Sequence, residues 1–319
     1  MTGDDPLAPL LERQGVAILD GGLATELERR GHDLSDELWS ARLLVDRPDA
    51  IEELHFDYLA AGADCVIGAS YQASFEGFSR RGLGSEEART ALERSVEVAR
   101  AARRRFWSDP ARRAGRRRPL VAASVGPYGA FLADGSEYRG DYGVSERDLL
   151  RFHRERFRTL AESGADLLAC ESIPSRPEAT VLARLIADTP GIAAWISFTC
   201  RDGATLSDGT PLAEAAAEVE GAPGLVALGV NCTAPRHLSS LIELLGQATS
   251  LPIVAYPNRG EGWDAARRRW LPASGEPTLA AAAPEWVARG ARLVGGCCRT
   301  GPSDIRRLRA ALLSRPASS

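Results

Sequence analysis

Two of the six cysteines stand side by side in the stretch GGCCRT, residues 295–300, and a third, Cys232, ends the stretch GVNC at 229–232. Three thiolates drawn together would select zinc over magnesium or calcium, because soft sulfur suits zinc and hard oxygen suits the others. Three protein ligands leave the fourth tetrahedral position of one zinc ion open to water or substrate, as in catalytic sites. Adjacent residues of a regular strand point to opposite faces, so Cys297 and Cys298 can both turn toward Cys232 only if the backbone leaves the extended conformation. Gly295 and Gly296 permit that departure. The same residues also fit a redox-active vicinal disulfide, or small buried side chains with no ligand role. A cytoplasmic setting disfavours the disulfide. Cys65, Cys170 and Cys200 read as buried core.

What the chain lacks narrows the chemistry further. All 39 of its basic residues are arginine, so Schiff-base aldolases, lysine-anchored pyridoxal-phosphate enzymes and Walker-type phosphate loops are excluded. The four histidines, at 32, 55, 153 and 237, have no metal-binding spacing, and no G-x-S-x-G elbow supports a serine hydrolase.

The elements that would position these residues alternate along the whole chain. Short apolar, β-branched runs at 16–20, 64–70, 120–126, 166–172, 193–200, 225–232, 252–258 and 292–298 are each followed by an amphipathic segment, giving eight strand–helix rounds. One helix is expected from Ser145 as N-cap to near Gly164, another from Gly301 with Pro302 in its first turn. Near-continuous apolar strands suit a parallel sheet covered by helices, and eight units predict an α/β fold, a closed (β/α)8 TIM barrel in a single domain over residues 1–319. Loose termini are expected at about 1–12 and 315–319. In such barrels the active site lies at the C-terminal ends of the strands, and these ends are rich in chemistry. The first carries Asp20 with Gly21 and Gly22, the fourth Cys170 and Glu171, the sixth Asn231 and Cys232, the seventh Pro257 and Asn258, the eighth Cys297 and Cys298.

Hydrophobic residues at 44%, charged residues at 26% and the absence of an 18-residue apolar run point to a soluble protein with no membrane span. The acidic N-terminal stretch lacks the features of a signal peptide, so a cytoplasmic location is expected. A net charge of -4 argues against a nucleic-acid partner. The basic run from Arg100 to Arg118 fits a helix end better than a phosphate-binding patch.

Taken together, ILDGGLATELERRG, IGASYQAS, SVGPYGAFLADGSEYRGDYG, ESIPSRPEA, SFTCRDGATLSDGTPL, GVNCTAP, YPNRGEGWD and GGCCRTGP resemble the homocysteine S-methyltransferase family over almost the whole length. The loop PYGAFLADGSEYRGDYG is similar to the branch that uses S-methylmethionine, rather than to the betaine-using enzymes. Cobalamin-dependent methionine synthases share the barrel but add domains for which 319 residues leave no room. The resemblance implies zinc on Cys232, Cys297 and Cys298, with the homocysteine thiol in the open position. A sulfonium donor, S-methylmethionine or S-adenosylmethionine, would then supply the methyl group that makes methionine. It further implies Asp20 and Glu171 as partners of the substrate ammonium group, with Gly21 and Gly22 bringing backbone N–H groups toward its carboxylate and Asn231 as a further substrate-binding residue. Trp39 matches an aromatic position near the methyl donor, and Tyr71 is a second aromatic candidate for a cation–π contact with the sulfonium. Read without the resemblance, Asp20 is equally a turn residue, Glu171 a rim salt bridge and Trp39 a packing side chain. Two other functions compete: a zinc-stabilised scaffold or thiol redox sensor on an inactive barrel, and a phosphate-binding barrel lyase, which the missing lysine disfavours.

Overall fold

Eight parallel strands form in the eight places that the apolar runs predict: β1 Ala17–Ile18, β2 Cys65–Ile67, β3 Leu120–Val125, β4 Leu167–Ile173, β5 Ala194–Phe198, β6 Leu225–Asn231, β7 Ile253–Tyr256 and β8 Ala291–Val294. The computed structural model describes residues 5–34, 40–260, 263–264, 269–270 and 275–313. The strands are hydrogen-bonded in chain order from β2 round to β8, and β8 pairs with β1. A parallel bridge between Leu19 and Cys65, with Asp64 N–H donating to Ile18 O at 2.6 Å, joins β1 to β2 and closes the ring into a (β/α)8 barrel.

Both faces of β3 to β6 are almost wholly buried, which explains their unbroken apolar runs. Outward-pointing residues such as Ile18, Val66, Val121, Leu168 and Ile196 pack under the helices in the main core. Inward-pointing residues are mostly small, Ala17, Ala122, Ala169 and Ala227 among them, and the remaining space is filled by Trp195 and Tyr256, at most 1% exposed. The helices obey their local signals. Ser145 caps the helix Glu146–Glu162, its hydroxyl accepting from Asp148 N–H, and Gly164 beyond its end takes a φ of +83°. Pro302 opens the helix Pro302–Leu313.

Two expectations change. A loose chain to about residue 12 is not what forms: Leu7, just before the helix Ala8–Gln14, and Leu10 within it are both buried against the lower end of the barrel interior. The signal missed was the apolar content of Leu7, Leu10 and Leu11, which the nearby Asp and Pro residues obscure. β8 also ends at Val294 rather than at Cys298, so the two adjacent cysteines lie beyond the strand. The arginine run is a helix end stitched into the fold. Arg103 is paired with Asp166, Arg116 with Asp64, Arg105 with Glu53 and Arg112 with Asp109. Among the described residues, no helix is long and apolar enough to cross a membrane.

Candidate active site and metal centre

Two loops meet at the C-terminal mouth of the barrel and bring Cys232, Cys297 and Cys298 together, with all three Sγ atoms within 4.8 Å of one another. Cys232 directly follows β6 in a left-handed conformation, φ +47°, that few non-glycine residues adopt. Its N–H donates to Tyr256 O, and its Sγ lies 3.7 Å from that of Cys298. Cys297 is fixed by its own N–H, donated to Pro257 O at 2.7 Å, and opens a turn closed by Thr300 N–H on Cys297 O. The left-handed residue of that turn is Arg299, φ +70°, whose N–H donates to Thr25 Oγ1.

The glycines before the cysteines work differently from the expectation. Neither Gly295 nor Gly296 has a positive φ; the unusual backbone sits on Cys232 and Arg299 instead. What Gly295 and Gly296 supply is close approach. A Cβ on Gly296 would collide with the Thr300 side chain, and one on Gly295 would lie 2.5 Å from Leu19 Cβ. Across the interface a Cβ on Gly22 would lie 2.6 Å from Cys297 O, and one on Gly21 2.5 Å from Thr300 O. DGG and GGCCRT are thus two glycine-lined loops pressed together, with the Tyr58 hydroxyl donating to Thr300 O at 3.0 Å. One consequence corrects the role expected of Gly22: its N–H is committed to Thr300 O at 2.9 Å and is not turned toward a substrate carboxylate.

The thiols are electrostatically unequal. S–H donation from Cys297 and Cys298 holds Cys232 well below the usual thiol range, and the hydrogen bond to Cys232, followed by its charge, pushes the other two up. Three sulfurs this close resist carrying three charges in water-poor surroundings, and a divalent cation is the partner that would relieve them. The donor set therefore fits zinc. Cys65, Cys170 and Cys200 are buried away from this cluster, and burial pushes all three thiols up, which fits inert core residues.

Two carboxylates reach the same mouth. Asp20, 2% exposed, accepts from Ile67 N–H at 2.9 Å, and burial raises its pKa. Glu171, 8% exposed, is pushed up to about 7 by burial, with the Ser124 hydroxyl donating to it and Tyr256 alongside. Its direction comes from an irregularity in β4: the pairing with β5 shifts register between Cys170 and Ile173, and Ser172 takes a φ of +60°. Bulges of this kind re-aim side chains at active sites. Asn231, fully buried, ties the pieces together. Its Oδ1 accepts from Ser172 N–H and the Ser197 hydroxyl, and its Nδ2 donates to Ser172 Oγ at 2.8 Å and lies 3.9 Å from Cys297 Sγ. Tyr71 also belongs to this rim, with Ser172 beside its hydroxyl and Cys232 and Glu171 within electrostatic range. Trp39 lies outside the described residues.

Sequence reasoning missed Glu137 and Tyr138, which the long loop after β3 lays over the cysteines; the Tyr138 hydroxyl is 3.6 Å from Cys232 Sγ. It also missed Ser124, Ser172 and Tyr256. Only the position of Ser124 and Ser172 at strand ends could have drawn attention to them.

A family model described as homocysteine S-methyltransferase matches residues 17–312. The chain belongs to the homocysteine S-methyltransferase family. Within that family it is 50% identical over 306 residues to homocysteine S-methyltransferase YbgG of Bacillus subtilis, covering 96% of this chain and 97% of the relative. Homocysteine S-methyltransferase of Escherichia coli is 49% identical over 312 residues, covering 97% and 99%. The crystal structure of the metallated form of the Escherichia coli homocysteine methyltransferase MmuM superposes with a TM-score of 0.86 at 48% identity, covering 96% of this chain and 99% of that one.

Proposed function

We propose that this enzyme transfers a methyl group from a sulfonium donor to the thiol of homocysteine, giving methionine and a neutral thioether, with one zinc ion held by Cys232, Cys297 and Cys298. The single observation that carries the reading is the convergence of these three thiols at the barrel mouth, in a chain of this family. When bound there, zinc would lower the pKa of a coordinated thiol and keep it as the nucleophilic thiolate. The chain's own residues do the positioning. Asp20 and Glu171 take the ammonium group of homocysteine, which offsets the cost of keeping two carboxylates charged in a buried site. Asn231 keeps Cys297 and the β4 bulge in register, so the carboxylate that holds the amino acid and the sulfurs that hold the metal keep a fixed separation. Tyr71 offers an aromatic face, and Trp39 is proposed as a second, for the cationic donor. Gly21 and Gly22 serve by letting the DGG turn approach the cysteine loop. The chain works as one domain, in the cytoplasm, on small molecules.

The donor is S-methylmethionine rather than S-adenosylmethionine, because the loop after β3 that covers the site resembles the branch using the smaller donor. A methionine-formation assay offering each donor with homocysteine tests this: a higher kcat/KM is expected with S-methylmethionine. Equal or reversed efficiencies would overturn the donor assignment, and no methionine from either would overturn the function.

A further inference from the structure

The loop after β3 places beside the cysteines a carboxylate that, among the described residues, has no ion-pair partner. Glu137 lies in the short turn Ser136–Tyr138, and three contacts fix the position of that turn. Gly129 leaves room for the Glu137 backbone, where a Cβ would collide with it. Thr199 Oγ1 donates to Glu137 O at 3.4 Å, and the neighbouring Tyr138 hydroxyl reaches Cys232 Sγ. Within this fixed frame Glu137 Oε2 is buried and has no hydrogen-bond partner. Buried carboxylates are ordinarily paired or fully hydrogen-bonded, so an orphaned oxygen beside an active site calls for a ligand.

Its surroundings say which kind. Among the described residues, the groups within electrostatic range include Cys232, Asp134, Arg139, Tyr71 and Tyr138. Arg139, the single cation among them, is half exposed and is shared between Asp134 at 3.6 Å and Asp141 at 3.5 Å. Arg156, buried behind the same rim, donates to the carbonyls of Gly126, Ser70 and Tyr71. The chain contains no lysine. Burial pushes the Glu137 carboxyl up to about 7. Two phenol rings stand beside it, and aromatic faces attract organic cations. Asp20 and Glu171 belong to the strand ends, β1 and β4, whereas Glu137 comes from the overlying loop, so the acidic groups divide between two depths of the cleft.

We propose that Glu137 is the specificity-determining residue for the methyl donor, its carboxylate recognising the donor's positive charge with Tyr71 and Tyr138 alongside. This rests on the methyl-transfer function above and assigns the donor end of the same site. No covalent step involves Glu137. It holds a cation whose charge disappears on transfer, so it favours the charged donor over the neutral thioether product and assists product release.

Steady-state kinetics on the zinc-loaded enzyme, with S-methylmethionine and homocysteine varied in turn, test the assignment. Glu137→Gln keeps the shape and removes the charge. It is expected to raise the donor KM at least about tenfold while the homocysteine KM and the zinc content stay within about twofold of wild type. Methionine, which lacks the sulfonium charge, is the second probe. As a competitor of the donor it should bind far more weakly than the donor to the wild type and with similar affinity to Glu137→Gln. An unchanged donor KM, or parallel rises in both KM values with loss of zinc, would overturn the proposal and leave the methyl-transfer reading intact. A wild-type enzyme that transfers no methyl group at all would remove both.

Discussion

At the scale of single residues, backbone strain gathers where the chemistry is. Four non-glycine residues among those described have a positive φ, and three of them, Ser172, Cys232 and Arg299, touch the cysteine cluster or the bulge that aims Glu171. Each costs on the order of 1 to 3 kcal/mol and persists because the backbone N–H of each is held by an acceptor, on Asn231, Tyr256 and Thr25 respectively. Glu171 offers a direct test of the proposed amino-acid subsite. Burial pushes its pKa in the folded protein up to about 7, above the ordinary 4.5, so it is protonated below neutral pH and charged above. An ammonium group is held by the charged form. Homocysteine KM should therefore rise as the pH falls through 7 and level off above it. Glu171→Gln should raise the KM at high pH by an amount equivalent to about 2 to 5 kcal/mol and flatten the acidic limb. KM profiles of both proteins across neutral pH decide it; coincident profiles would make Glu171 a structural residue.

At the scale of elements, the loop after β3 is anchored by one buried carboxylate. Glu178, in the first turn of the helix Arg176–Ala187, accepts from Tyr128 N–H at 2.6 Å near the start of the loop and from the Tyr142 hydroxyl at 2.9 Å near its end. His153 Nε2 lies 2.8 Å behind. Glu178→Ala should release both ends, raise protease cleavage within residues 127–144 and lower methyl transfer, while circular dichroism still reports the barrel. Glu178→Gln, which keeps one acceptor oxygen, should do so less. Equal cleavage in all three proteins would mean that the loop is held by other contacts. This loop also marks the limit of what the sequence discloses. The strands are legible because burial on both faces leaves an apolar run, and the cysteines, Asp20 and Glu171 are legible because they stand where those runs stop. Glu137 and Tyr138 reach the site along a path that no periodicity encodes. The role of Gly295 and Gly296 was read as conformational freedom, yet it is steric, set by Leu19 and Thr300 from far away in the chain.

At the scale of the whole molecule, the fold carries its own core, between strands and helices and inside the barrel, and the cysteines sit at its mouth. Its acid sensitivity should come from groups such as His55. This residue is fully buried in the helix Pro48–Ala61, neither ring nitrogen has a partner, and burial lowers its pKa from 6.5 to about 4. The folded state thus favours the neutral ring. That stability is fully present above pH 6.5 and is lost as the pH falls toward 4, a loss of about 3 kcal/mol. The Tm of His55→Met should fall less steeply than that of the wild type over this range, and parallel curves would contradict the assignment. Because the three cysteines lie at the mouth, outside the main core, the fold should not depend on the proposed ion as a zinc finger's does. Metal content and methyl transfer, followed together through chelation and restoration, therefore test the central claim most directly. One zinc per chain is expected. A strong chelator should abolish methionine formation and leave the helical circular dichroism unchanged, and added zinc should restore activity. Cys232→Ser, Cys297→Ser and Cys298→Ser should each lose activity by more than about 100-fold and fail to recover with added zinc, whereas Cys65→Ser should recover. An active protein that holds no metal, or one that works with Cys297 bonded to Cys298, would contradict the account.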